Sequence, residues 1–228
     1  MKIAGLQKTT LLDFPGRVAC TVFLSGCNFR CPYCQNSEIL DGTAENYSSD
    51  EIFSFLKKRR GVLDGVCVSG GEPLIHADIA DFLREIKRLG YAVKLDTNGA
   101  FPQRLKELYA SKLIDFVAMD IKSSPQFYEF AAGVPVDTDS IRESAAFLME
   151  CGLPYEFRTT VVKQLHREED FENIGQWLRG AERYFLQTFR DSDAVPFQGL
   201  TACSDEEMQR FKKILQKYIP NALIRGEE

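Results

Sequence analysis

Ser25-Gly26-Cys27-Asn28-Phe29-Arg30-Cys31-Pro32-Tyr33-Cys34-Gln35-Asn36 follows directly on the apolar, β-rich run RVACTVFL at residues 17–24. Its cysteines are spaced CxxxCxxC, three thiols within eight residues on one loop, close enough to converge on one metal centre. Thiolate is the ligand that iron–sulfur clusters use. A cube of four irons held by three thiolates keeps one iron open to a further ligand, whereas a fourth thiolate would close it. Structural zinc is normally closed by four ligands, and after Cys34 no Cys or His follows until Cys67. A disulfide would leave one of the three over, in a chain with no secretory signal.

Outward from this loop, strand-like and helix-like segments alternate. Strands are expected at 17–24, 65–69, 91–96, 114–121, 155–162 and 183–189. Helices are expected at 49–60, 78–89, 102–111, 138–151, 168–179 and 204–218, with one more short strand near 222–224. In 78–89, Ile79, Phe82, Leu83 and Ile86 share one helical face. Ser49 is the expected cap of the first helix, and Ser204 with Glu207 forms a capping box for the last. Residues 11–16, LLDFPG, read as a lead-in and turn, and 123–137 as the one loose connection. Strands alternating with helices pack as a parallel sheet with right-handed crossovers. The polar motifs sit at the C-terminal ends of the first four strands and within the fifth. Those ends converge only if the sheet curls, and active sites form at such a mouth. The expected fold is therefore α/β, an open partial (β/α)6 barrel of TIM type. It forms one domain over 1–228, with its core at about 17–190 and a C-terminal helix and strand at 204–225.

Each motif has a plain and a chemical meaning. Ser69-Gly70-Gly71-Glu72-Pro73 is by itself a turn, but two glycines let backbone approach a ligand closely, and a carboxylate beside them accepts from an ammonium. Asp96-Thr97-Asn98-Gly99 is by itself a turn with a helix cap. Asp120 and Lys122 lie on one face of their strand by alternation. Arg158 sits inside a strand, where an unpaired charge is costly; it faces either a ligand carboxylate or a core acid such as Glu156. His76 and His166 are the only histidines, and neither receives a role, nor do Cys151 and Cys203.

The 228 residues are 44% hydrophobic and 27% charged, with a net charge of −5. That balance speaks against a nucleic-acid footprint, which needs a basic face. No apolar run is long enough to span a bilayer. Seven cysteines without a signal segment imply a reducing, cytoplasmic setting.

The cysteine array, with Tyr33 aromatic before its last cysteine, resembles the cluster motif of the radical S-adenosylmethionine (SAM) family. The series LLDFPG, SGCNFRCPYCQN, SGGEP, VKLDTNG, FVAMDIK, YEFRTTVV and FLQTFR resembles that of the anaerobic ribonucleoside-triphosphate reductase activating proteins, over roughly residues 5–190. The resemblance implies that Cys27, Cys31 and Cys34 bind a [4Fe-4S] cluster. It places Tyr33 beside the adenine of SAM and Gly70, Gly71 and Glu72 at its amino group. Asp96, Thr97, Asp120, Lys122 and Arg158 complete the SAM environment, in some relatives with a monovalent cation near Asp96, Thr97 and Asp120. It further implies a reductive cleavage of SAM, with electrons from a donor such as flavodoxin. A 5′-deoxyadenosyl radical then takes hydrogen from a glycine of the partner enzyme. No side chain of this chain needs to act as acid or base. The alternative is a radical SAM enzyme acting on a small molecule, like the 7-carboxy-7-deazaguanine synthases.

Overall fold

The computed structural model describes residues 1–226; the last two positions of the expected domain, Glu227 and Glu228, lie outside the described residues. The chain forms two compact units, each assembled from separated stretches: residues 1–28, 38–97 and 101–118 in the first, and 29–37, 98–100 and 119–228 in the second.

The first unit holds strands β1 (Ile3–Thr10), β2 (Ala19–Leu24), β3 (Gly65–Gly70) and β4 (Ala92–Thr97), with helices α1 (Ser49–Lys58), α2 (Ile79–Arg88) and α3 (Pro102–Ala110). Strand β5 (Phe116–Asp120) begins in this unit. β2, β3 and β4 pair in parallel and in chain order. Their middles are buried, and in β3 Val66, Cys67 and Val68 are fully so, as expected of parallel strands covered on both faces. The helices between them bury the stripes that the sequence predicts: Ile52 and Leu56 in α1, and Ile79, Phe82, Leu83 and Ile86 in α2. Ser48, rather than the adjacent Ser49, caps α1; it accepts from Glu51 N, and the Glu51 carboxylate accepts in return from Ser48 N.

Two features depart from the expected pattern. Residues 3–10 form a strand, β1, antiparallel to β2, where the sequence shows only a lead-in. The LLDFPG turn also supplies core: Phe14 is buried, packs on Phe116 at 6.1 Å between ring centroids, and lies against Gly65.

The second unit holds α4 (Tyr128–Ala132), α5 (Thr138–Glu150), β6 (Tyr155–Val161), α6 (Glu168–Trp177), β7 (Tyr184–Thr188), α7 (Asp205–Gln216) and β8 (Ala222–Ile224). β6, β7 and β8 are parallel and again in chain order. Asp137 caps α5, accepting from Asp139 N and Ser140 N, one residue before the expected start. The segment read as loose contains α4, which ends at Gly133 in the left-handed conformation. Of the described helices, none is long and apolar enough to cross a membrane.

Candidate active site

In the first unit, β2 ends opposite the end of β3, with Leu24 paired to Gly70. The cysteine loop and the Gly-Gly-Glu turn therefore leave the sheet side by side. Gly71 N donates to Leu24 O at 2.9 Å and Glu72 N to Gly26 O at 2.9 Å. Gly70 has φ +120°, and a Cβ there would run into the backbone of Leu24; one on Gly71 would run into Gly26 O. The close approach that these two glycines permit is thus to the chain just before Cys27. Glu72 is fully buried. Its Oε1 accepts from Leu74 N at 3.0 Å, capping the short turn Pro73–Ile75, and from the Thr97 hydroxyl at 2.8 Å. β4 carries an ion pair that the sequence reading missed. Lys94, 1% exposed, reaches the Oδ1 of Asp96 two residues on, while Ser69 Oγ donates to its Oδ2 at 3.0 Å. The Lys94 ammonium also lies 3.8 Å from Cys67 Sγ.

In the second unit, Cys31 and Cys34 share a turn, Cys34 N donating to Cys31 O at 3.1 Å. Both flanks of this stretch are held. Arg30 N donates to Ala132 O at 2.8 Å, at the end of α4, where Gly133 leaves no room for a Cβ against Arg30 O. On the other side, Phe197 N donates to Pro32 O at 3.2 Å, Gln35 Nε2 to Arg190 O at 2.8 Å, and Ser37 Oγ to Ala194 O. Residues 190–197 thus form a strap along the cysteine loop, to which no sequence motif points. Burial pushes the Cys31 thiol up, against the opposing charge of Lys122.

Asp120, Lys122 and Arg158 come together. Asp120 Oδ1 accepts from Arg158 Nε at 2.8 Å and its Oδ2 from Lys122 Nζ at 3.1 Å. Burial alone would raise the Asp120 carboxyl, but Arg158 and then Lys122 hold it well below the usual carboxylate range. Lys122 is likewise disfavoured as a cation by burial and kept charged by Asp120. Arg158 therefore has Asp120 as its carboxylate, whereas Glu156 pairs with Arg225 at 2.6 Å. His166 braces this segment. Its Nδ1 accepts from Val162 N at 3.0 Å, so Nε2 carries the proton and donates to Lys122 O at 2.8 Å.

A [4Fe-4S] cluster and SAM suit these donors. Cys31 and Cys34 carry free thiols, and buried Tyr33 holds a hydroxyl with no partner among the described residues, a group that a bound ligand would satisfy. Among the described residues no three His, Cys, Asp or Glu side chains surround a single point. A cluster does not require that, because each thiolate meets a different iron. Two cavities, of about 350 Å³ beside His76, Arg104 and Glu107 and about 270 Å³ beside Phe127, Phe130 and Leu165, are lined by none of the expected site residues.

Residues 21–178 match the family described as the Radical SAM superfamily. The chain is a radical SAM protein. Members of this family use a [4Fe-4S] cluster and SAM, and the cysteines for the cluster are present. A protein of Methanocaldococcus jannaschii provisionally named a glycyl-radical enzyme activating enzyme is 31% identical over 98% of this chain and 95% of its own length. The pyruvate formate-lyase-activating enzyme of Streptococcus mutans is 28% identical over 94% of this chain and 92% of that one. The radical SAM protein is thus related to glycyl-radical enzyme activating enzymes. Streptococcus suis SuiB, solved with its precursor peptide SuiA, superimposes with a TM-score of 0.73 at 16% identity over 90% of this chain and 48% of that one. At that identity the likeness is one of fold, α/β with a parallel sheet, and the chain spans about half of that protein.

Proposed function

We propose that this protein is an activating enzyme that places a glycyl radical on a partner enzyme, and that the partner is an anaerobic ribonucleoside-triphosphate reductase. The observation that carries the activating role is the relation, nearly end to end in both chains, to a protein named as a glycyl-radical enzyme activating enzyme. The motif series from LLDFPG to FLQTFR supports the choice of reductase. The whole chain acts as a single radical SAM domain in the cytoplasm.

The cluster and SAM supply the radical chemistry when bound, with an electron from a donor such as flavodoxin. The chain's own residues bind and orient. Cys27, Cys31 and Cys34 hold the cluster, and Tyr33 lies beside the adenine. Glu72 accepts from the ammonium of SAM, in a turn that Gly70 and Gly71 allow. Asp96, Thr97, Asp120, Lys122 and Arg158 hold the rest of the methionine moiety. Lys122 and Arg158 both meet the carboxylate of Asp120, a cationic pair of the kind that suits an anionic ligand group. The partner docks at residues 123–137, where Phe127 and Phe130 are exposed and Ala132 holds the cysteine loop through Arg30.

Mixed anaerobically with SAM, a reductant and its reductase, the protein is expected to produce a doublet radical signal on the reductase by electron paramagnetic resonance. Deuterium at the target glycine should pass into 5′-deoxyadenosine. Deuterium transfer only from a small metabolite, and never from a protein, would replace this function with the small-molecule one.

A further inference from the structure

The expectation of a monovalent cation near Asp96, Thr97 and Asp120 meets a different arrangement of charge in both units. An alkali cation binds where oxygen ligands carry unbalanced negative charge, and every ammonium or guanidinium nearby opposes it by simple Coulomb repulsion. Asp96 meets a cation from its own strand. The ammonium of Lys94, on a side chain 1% exposed, sits on Oδ1, and Ser69 donates to Oδ2. Thr97 directs its hydroxyl proton to Glu72. Asp120 carries two cations on one carboxylate, Arg158 on Oδ1 and Lys122 on Oδ2. Asp96 thus already carries an ammonium of the chain, and Asp120 an ammonium and a guanidinium. These side chains do not fit an added cation.

We propose that Lys94 supplies from within the chain the positive charge that a bound monovalent cation would supply beside Asp96, so that SAM binding here requires no added cation. Burial makes the exchange specific: a lysine in that place cannot leave for solvent without exposing an uncompensated carboxylate. This rests on Asp96 belonging to the SAM environment, as proposed above.

The test is titration calorimetry of SAM with the reconstituted protein. The buffer contains tetramethylammonium as its only cation, then sodium or potassium at matched ionic strength. The natural protein should bind SAM equally in all three. Lys94→Met should lose about tenfold or more in affinity in tetramethylammonium and recover most of it in sodium or potassium, with iron content and circular dichroism unchanged. A natural protein whose affinity rises about tenfold on adding an alkali cation would overturn the proposal, and that measurement stands even if Lys94→Met fails to fold. So would a folded Lys94→Met that binds equally well without alkali cations. Asp96→Asn separates the two levels. If it leaves SAM affinity untouched, Asp96 lies outside the SAM environment and both assignments fall. If it weakens SAM while the natural protein needs alkali cations, only the role of Lys94 falls.

Discussion

Glu72 has a structural part to play and, in the function proposed above, a chemical one. Its Oε1 fixes the turn after β3 and the hydroxyl of Thr97, so its position is set by the fold, and the proposed site uses its charge. Gln at this position keeps the oxygen and loses the charge. Glu72→Gln is therefore expected to weaken SAM binding by about 1–3 kcal/mol, the range for a hydrogen bond to a charged group, while cluster content stays that of the natural protein. Calorimetric affinity beside iron analysis checks both, and an unchanged affinity would move the ammonium site elsewhere. At this scale the sequence was readable wherever charge interrupts an apolar run. Arg158 announced a carboxylate partner, and Asp120 is that partner. Lys94 interrupts YAVKLD in the same way and went unnoticed beside the more conspicuous Asp-Thr-Asn-Gly that follows. The Glu156–Arg225 pair could not be read at all, because its partners are 69 positions apart.

At the scale of elements, helices were legible because their apolar spacing is local. The stripe of α2 is buried as read, and Ser204 with Glu207 caps α7 as read. Strand β1 was not, since Gln7, Lys8 and Thr9 are exposed on it and its pairing with β2 is antiparallel. The strap at residues 190–197 was invisible for another reason: it is held through backbone carbonyls of Arg190 and Ala194 and the Phe197 amide, and backbone groups leave no trace in side-chain identity. The Gly-Gly-Glu turn was legible as a place of close approach, although what approaches in the first unit is the chain leading into Cys27. It follows that Gly71→Ala should act on the metal rather than directly on SAM. A methyl group there meets Gly26 O, and backbone cannot step aside as a side chain can. Iron and sulfide content after anaerobic reconstitution is expected to fall well below that of the natural protein. Cluster content equal to the natural protein's would show that the turn and the loop are not mechanically coupled.

Across the whole molecule, strands that are neighbours in the sheet are neighbours in the chain: β1 to β4 in the first unit, β6 to β8 in the second. No strand of the first unit must wait for a distant one before it pairs. Short-range pairing of this kind lowers the loop-closure entropy that slows folding, and it suits a chain released from the ribosome a few residues at a time. The first unit draws on nothing beyond residue 118. Ribosome-stalled chains that have emerged past that point should resist brief protease treatment within residues 1–28 and 38–97, whereas chains stalled before β4 should be cut there. Equal sensitivity in both would mean that the N-terminal half stays unfolded until synthesis ends. With early resistance, strand order along the chain serves as a schedule for synthesis, the strands β1 to β4 being assembled before the codons for the last strands have been read.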